Sequence, residues 1–229
     1  MMTFEAAQLR TFTARLDCHY LLHLPDNLDS ESVLAVTLHG YGANPDTMLR
    51  LTGNLLGPRH VIAALEGPSQ FYLKNTPGSE VGFSWLTNKH AASSIRLHHD
   101  MVLHVLDEAG RECGIPAERR LLAGFSQAVG INYRFAATHP AAVRGLIGIC
   151  GGLPKNWEDG PYQQVSASLL HIARREDEFY PPAVTELYPE RLKKRAGDVE
   201  FHLLEGGHRM PSKAGPIVER WIKRVFGRA

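Results

Sequence analysis

Cysteine is scarce in this chain: Cys18, Cys113 and Cys150 are the only three, and no Cys-x-x-Cys pair is present. The odd count and the spacing argue against a disulfide framework and a zinc ribbon, leaving reduced, mostly buried thiols. Charge of one sign is not in surplus either. With 25 basic against 24 acidic side chains and a formal charge of +1, nothing favours nucleic acid or an anionic membrane as a partner. Long hydrophobic runs are missing, so no membrane span is expected. The N-terminus, Met1-Met2-Thr3-Phe4-Glu5-Ala6, reaches Arg10 and Arg15 before any apolar run long enough for a secretory signal. A cytoplasmic enzyme or binding protein is what remains. With 44% hydrophobic and 21% charged residues, the chain can bury a sizeable core and reads as one domain over 1–229.

The periodicity supplies the class. Strand-like runs occur at 19–24, 33–38, 60–65, 121–123, 144–150, 168–173 and 199–204, and several are continuous apolar stretches of the kind found in sheets covered on both faces. Helical spacing occupies 45–56, 90–113, 127–138, 183–195 and 217–226. Such alternation predicts an α/β fold with a mostly parallel central sheet and helices on both faces. The first of these helices should be capped near Asn44, with Pro45 at its first position. Residues 67–89, rich in Gly, Pro, Ser and Asn, read as a long irregular loop. Its Phe71, Tyr72, Phe83 and Trp85 line a pocket or cap the core edge, and Trp157 further on is another candidate for the pocket wall. No insertion is large enough for a substantial lid domain.

Ligand sites in parallel sheets lie beyond the carboxyl ends of the strands. Four polar clusters follow strands here, at 39–44, 126–127, 174–178 and 206–209, and they should converge on one edge. The second is the most informative. Gly124-Phe125-Ser126-Gln127-Ala128 places a serine at a sharp strand-to-helix turn with small residues two positions to either side, a G-x-S-x-A version of the nucleophile elbow. Such a turn projects the hydroxyl from the sheet edge, and the backbone N–H of the next residue, Gln127, can hold an oxyanion. Serine needs a base, and the base needs a carboxylate to fix its tautomer. His208, on a Gly-Gly loop after the last strand, is the best base, and Asp177 the best carboxylate, with Glu176 and Glu178 as competitors. The order Ser126, Asp177, His208 is that of an α/β-hydrolase. His98, His99, Asp100 and His104 invite a metal reading, but no two of these histidines are three or four positions apart, so no metal site is expected.

The chain resembles the phospholipase/carboxylesterase branch of the α/β-hydrolases, which includes the acyl-protein thioesterases. The resemblance rests on Leu38-His39-Gly40-Tyr41-Gly42, Gly124-Phe125-Ser126-Gln127, the Gly148 to Pro154 block, Asp177 with Pro181, and Glu205-Gly206-Gly207-His208. It implies an α/β-hydrolase fold in which Ser126 attacks an acyl carbonyl, His208 carries the proton, Asp177 orients His208, and the N–H groups of Tyr41 and Gln127 hold the oxyanion. A small-molecule ester or thioester is the implied substrate, with no metal or organic cofactor; a homodimer is left open. The chain departs from the family pattern at Ala128 and Val129, where glycines are usual, and at Ala173-Arg174, where His-Gly is usual. Arg174 and Arg175 either favour acidic substrates or are solvated. The alternative from another class is a non-catalytic ligand-binding protein that keeps the hydrolase fold.

Overall fold

The computed structural model describes residues 7–227. Met1 to Ala6, on which the reading of the N-terminus partly rests, lie outside the described residues, as do Arg228 and Ala229. In chain order the elements are β1 (Tyr20–His23), β2 (Leu34–Leu38), α1 (Pro45–Leu56), β3 (Val61–Leu65), β4 (Ser69–Tyr72), β5 (Val81–Ser84), α2 (Ala91–Glu112) and β6 (Arg120–Phe125). They continue with α3 (Gln127–Thr138), β7 (Gly145–Ile149), β8 (Ser168–Arg174), α4 (Pro182–Thr185), α5 (Tyr188–Lys193), β9 (Val199–Leu204) and α6 (Gly215–Phe226).

Seven strands form one sheet in the order β1-β3-β2-β6-β7-β8-β9. Within this sheet, among the described residues, only β1 runs antiparallel to its neighbour; its other pairings are parallel, as the alternation of strands and helices predicts. Strand residues alternate between two cores. Leu34, Val36, Leu122, Leu146 and Leu169 face α2, α3 and α5, whereas Ala35, Leu121, Ile147 and Leu170 face α1 and α6. The closing helix is held by a single apolar stripe, Val218, Trp221, Ile222, Val225 and Phe226, at the spacing one helix face requires. At the start of α1, the Asn44 side chain accepts from Thr47 N at 2.9 Å and Pro45 occupies the first turn, the cap expected from sequence.

Two expectations are corrected. The stretch 67–89 is not irregular throughout, because β4 and β5 pair as an antiparallel hairpin, Ser69 opposite Ser84 and Tyr72 opposite Val81. Each strand has only four residues, too few to establish an alternation among so many turn formers. The single helix expected over 183–195 is instead two short ones, α4 and α5. Pro189 has no N–H to return to the carbonyl of Thr185, so a continuous helix would lose a bond there and clash with that carbonyl. Among the described residues no helix is long and apolar enough to cross a membrane.

Register places the functional loops together. Leu38 lies opposite Gly124, and Gly124 opposite Gly148, so β2, β6 and β7 end in line and their outgoing loops leave the same edge.

Candidate active site

Ser126 sits between β6 and α3 with φ 55° and ψ −116°, a region a residue with a β-carbon occupies only when its surroundings hold it there. What holds it is visible. Its N–H donates to Ile149 O at 2.9 Å, its carbonyl accepts from Val129 N at 3.1 Å, and a β-carbon on Gly124 would lie only 2.6 Å from Asn132 Nδ2. The close strand-to-helix approach therefore requires glycine at 124. Ala128 and Val129, the two departures in this turn, are fully buried in the core, and neither lines the cavity at the serine.

His208 brings both ring nitrogens into one line. Nε2 lies 2.8 Å from Ser126 Oγ, and Nδ1 lies 2.9 Å from Asp177 Oδ2. The tautomer these partners dictate has Nδ1–H donating to the carboxylate and Nε2 accepting from the hydroxyl. Asp177 is held by its own turn: Oδ1 accepts from the backbone N–H groups of Phe179 and Tyr180, both at 2.9 Å, which aims Oδ2 at the imidazole. Its side chain has no solvent exposure, whereas that of His208 keeps 13%. Of the competing acids, Glu178 accepts from the His208 backbone N–H at 3.4 Å and Glu176 donates its own N–H to Gly206 O; neither carboxylate meets the ring. Phe125, Phe179 and Tyr180 flank the imidazole, with ring centroids 5.1, 4.8 and 5.8 Å away.

Arg174 is not a solvated charge, nor does it line the cavity at the serine. It is buried beneath the loop that carries His208, with Nη1 donating to Arg209 O at 3.3 Å. Gly206 has φ 113°, and a β-carbon there would fall 1.7 Å from Arg174 Nη2, so this crossing requires glycine on both counts. Arg175, half exposed, pairs with Glu205 at 2.9 Å. The two arginines thus tie the Asp177 loop to the His208 loop.

The loop after β2 lies against the serine, since a β-carbon on Gly40 would stand 3.1 Å from Ser126 Cβ. His39 fixes that loop: Nδ1 meets Gly40 O at 2.7 Å, Nε2 accepts from Gly67 N at 3.0 Å, and its carbonyl accepts from Trp85 Nε1 at 2.8 Å. Burial holds the His39 pKa below the ordinary value, which keeps the neutral tautomer these contacts need. Among the described residues, the N–H groups of Tyr41 and Gln127 have no hydrogen-bond partner, and the latter opens helix α3. The Gln127 side chain does separate work unforeseen in the sequence. Oε1 accepts from Trp85 N at 3.0 Å and Nε2 donates to Leu86 O at 2.9 Å, anchoring the chain after β5 to α3.

Cys150, Asp177 and His208 place ligand atoms within 4.8 Å of one another. Their chemistry does not fit a metal: both carboxylate oxygens and both ring nitrogens already have partners, and burial, reinforced by Asp177, pushes the Cys150 thiol up to about 12. His98 and His99 are buried core residues of α2.

A cavity of about 710 Å³ opens at Ser126 and His208. Leu86, Ile95, Ile131, Leu153 and Tyr180 give it apolar walls, and Arg134 and Lys155 also line it. None of these residues was read as a cavity wall from the sequence, although Gln127, Gly130, Ile131 and Arg134 share one face of the helix that follows the serine. Trp85 and Trp157 are fully buried, Phe71 stacks on Tyr41 with centroids 5.0 Å apart, and Tyr72 is exposed. None of the four lines the cavity. A second cavity, about 460 Å³, lies at the opposite edge where strands begin. Of the two arginines there, Arg119 already donates to Ser32 O, Phe226 O and Glu31 O, and Arg59 pairs with Asp29 at 2.7 Å.

A family model described as phospholipase/carboxylesterase matches residues 27–225. The fold is similar to a Mesorhizobium loti carboxylesterase (21% identity, 92% of this chain and 96% of that one, TM-score 0.71) and to the Bacillus cereus carboxylesterase (17%, 91% and 95%, 0.70). Zea mays acyl-protein thioesterase 2 is similar to the same degree, at 17% identity over 91% of this chain and 99% of that one, with a TM-score of 0.70. No curated protein sequence matches the chain.

Proposed function

Because the chain belongs to the phospholipase/carboxylesterase family of α/β-hydrolases, we propose that it cleaves carboxylic esters or thioesters through an acyl-enzyme formed on Ser126. The observation that carries this reading is the unbroken line Ser126 Oγ, His208 Nε2, His208 Nδ1, Asp177 Oδ2, with links of 2.8 and 2.9 Å.

In the proposed cycle, Oγ attacks the acyl carbonyl as Nε2 takes its proton, and the carbonyl oxygen, now anionic, receives the N–H groups of Tyr41 and Gln127. Imidazolium then hands the proton to the departing alkoxide or thiolate. Water deacylates the serine by the same two proton transfers in reverse. Asp177 stabilises the imidazolium and holds the tautomer without becoming protonated itself. Preorganised backbone donors are suited to the oxyanion because they need no reorientation as charge develops. The strained backbone at Ser126 fits this role, since a nucleophile on such a turn stands clear of the strand.

The test is hydrolysis of p-nitrophenyl esters from acetate to decanoate by wild type and Ser126→Ala, with fluorophosphonate labelling alongside. Turnover and labelling in the wild type, both lost in the variant, are expected. A wild type inert to every ester and to the label would favour the non-catalytic alternative.

A further inference from the structure

The cavity at Ser126 carries a charge pattern that the proposed reaction does not use. Arg134 and Lys155 both line it, and its lining includes no Asp or Glu. Arg134 holds its place through neutral partners only. Nη1 donates to Asn156 Oδ1 at 3.2 Å and to the Tyr162 hydroxyl, and the guanidinium lies 5.8 Å from the Tyr162 ring centroid. Among the described residues it forms no ion pair, and its Nε and Nη2 donors have no partner. Lys155, exposed, likewise has neither an ion pair nor a hydrogen bond among the described residues. A guanidinium fixed by one nitrogen, with its Nε–Nη2 edge free, is shaped to take a carboxylate or phosphate with two parallel hydrogen bonds.

Position makes this relevant to the reaction. Ser126 caps α3 and Arg134 lies eight residues on, about 12 Å along the helix axis at 1.5 Å per residue. The side chain leans back toward the helix N-terminus, which shortens that span. Ile131 lies between the two on α3, and Leu86, Ile95 and Leu153 give the same cavity further apolar lining. From this arrangement we infer that the enzyme prefers esters bearing an anionic group, joined by an apolar spacer of up to about 12 Å to the scissile carbonyl, with Arg134 the principal anion-binding residue and Lys155 its auxiliary. The inference rests on the ester-cleaving reading of the same site and names its substrate class.

The experiment uses two matched pairs. The p-nitrophenyl half-ester of suberic acid is compared with its neutral monoamide, which places the charge on the acyl side. The acetate ester of 8-hydroxyoctanoic acid is compared with that of its primary amide, which places it on the leaving-group side. In the wild type, kcat/KM for the charged member of at least one pair should exceed that of the neutral member by roughly tenfold or more, the value of a charge-assisted hydrogen bond. The ratio should shrink as salt is raised. Arg134→Gln should bring it close to one, and Lys155→Gln should lower it by a smaller factor. Lys155 has no hydrogen bond or ion pair to lose among the described residues, so that variant carries the test if Arg134→Gln does not fold. Equal rates within both pairs, or a preference unchanged in both variants, would overturn this inference and leave ester cleavage standing. No turnover of either pair by a protein that still labels with fluorophosphonate would overturn it too, while sparing the nucleophile. No turnover and no labelling would remove both readings.

Discussion

Lowering the pH from 7 to 5 should cost this protein about 4 kcal/mol of folding stability through two histidines outside the site, His98 and His171. Both rings are fully buried. His98, on α2, meets Asn132 Oδ1 at 3.1 Å through Nε2 and packs among Trp85, His99 and Phe135; its Nδ1 has no partner among the described residues. His171, on β8, meets the Tyr133 hydroxyl at 2.8 Å through Nδ1, with Tyr133, Phe201 and Tyr188 around it, and its Nε2 has no partner among the described residues. Burial depresses both to about 3 from 6.5, and His99 adds repulsion at the first. A depressed histidine is neutral when folded and charged when unfolded across the window from 6.5 down to the folded value, so the unfolded state binds more protons and stability falls as pH falls. At pH 5 the unfolded ring is about 1.5 units below its ordinary value, which at 1.36 kcal/mol per unit gives about 2 kcal/mol each. The folded value scarcely enters, because the folded ring is still neutral there. Urea denaturation at pH 7 and pH 5 measures the loss, and His98→Gln and His171→Gln should each reduce it by about 2 kcal/mol whatever their effect on stability at pH 7. Variants that lose as much stability between the two pH values as the wild type would refute the reasoning.

Asp177→Asn should lower kcat by a factor on the order of 10⁴ with the fold intact, because the amide cannot hold the productive tautomer, whereas Glu176→Gln and Glu178→Gln should stay within about tenfold of wild type; steady-state kinetics of the three decides between the acids. Gly206→Ala would put a methyl 1.7 Å from Arg174 Nη2 at φ 113°, and should lower both the melting temperature and kcat, with a strain cost of roughly 1–3 kcal/mol; unchanged kcat would show that this crossing does not position His208. Gln127→Ala removes the bonds to Trp85 N and Leu86 O while leaving its own N–H in place, so KM should rise more than kcat falls, with about 1–2 kcal/mol of stability lost; a fall in kcat alone would contradict that division of labour.

Continuous apolar runs made the sheet readable in advance. Leu34 to Leu38 and Leu121 to Ala123 sit in strands covered on both faces, where the apolar residues find hydrophobic neighbours, Thr37 meets Thr52, and no polar alternation is needed. The helices of two or more turns were readable because each must present one apolar stripe, as α6 does. Both corrected elements lack that redundancy. The hairpin of β4 and β5 has four residues per strand, and its stability comes from docking, with Gly42 N donating to Phe83 O at 2.8 Å and Phe83 N to Ala43 O at 3.1 Å. Those partners lie some forty positions away in sequence, beyond the reach of a local pattern.

The candidate site divides in the same way. Ser126 and His208 were legible because a turn needing small neighbours and a Gly-Gly loop leave a mark in the chain itself. Choosing among Glu176, Asp177 and Glu178 was harder, since consecutive carboxylates differ only in where a turn aims them. Asp177 is distinguished by two backbone N–H groups, Phe179 and Tyr180, whose bonds to Oδ1 leave Oδ2 one direction to face. Arg174 was misleading for a related reason. An arginine after a strand in a charged loop reads as solvated, but here the absence of a side chain at Gly206, thirty-two positions on, opens the space it fills. Substituting one of these two positions without the other should therefore disturb the loop crossing, since Gly206 has room for Arg174 only while it stays glycine. A chain with glycine at both positions would instead need another means of holding the Asp177 loop against the His208 loop.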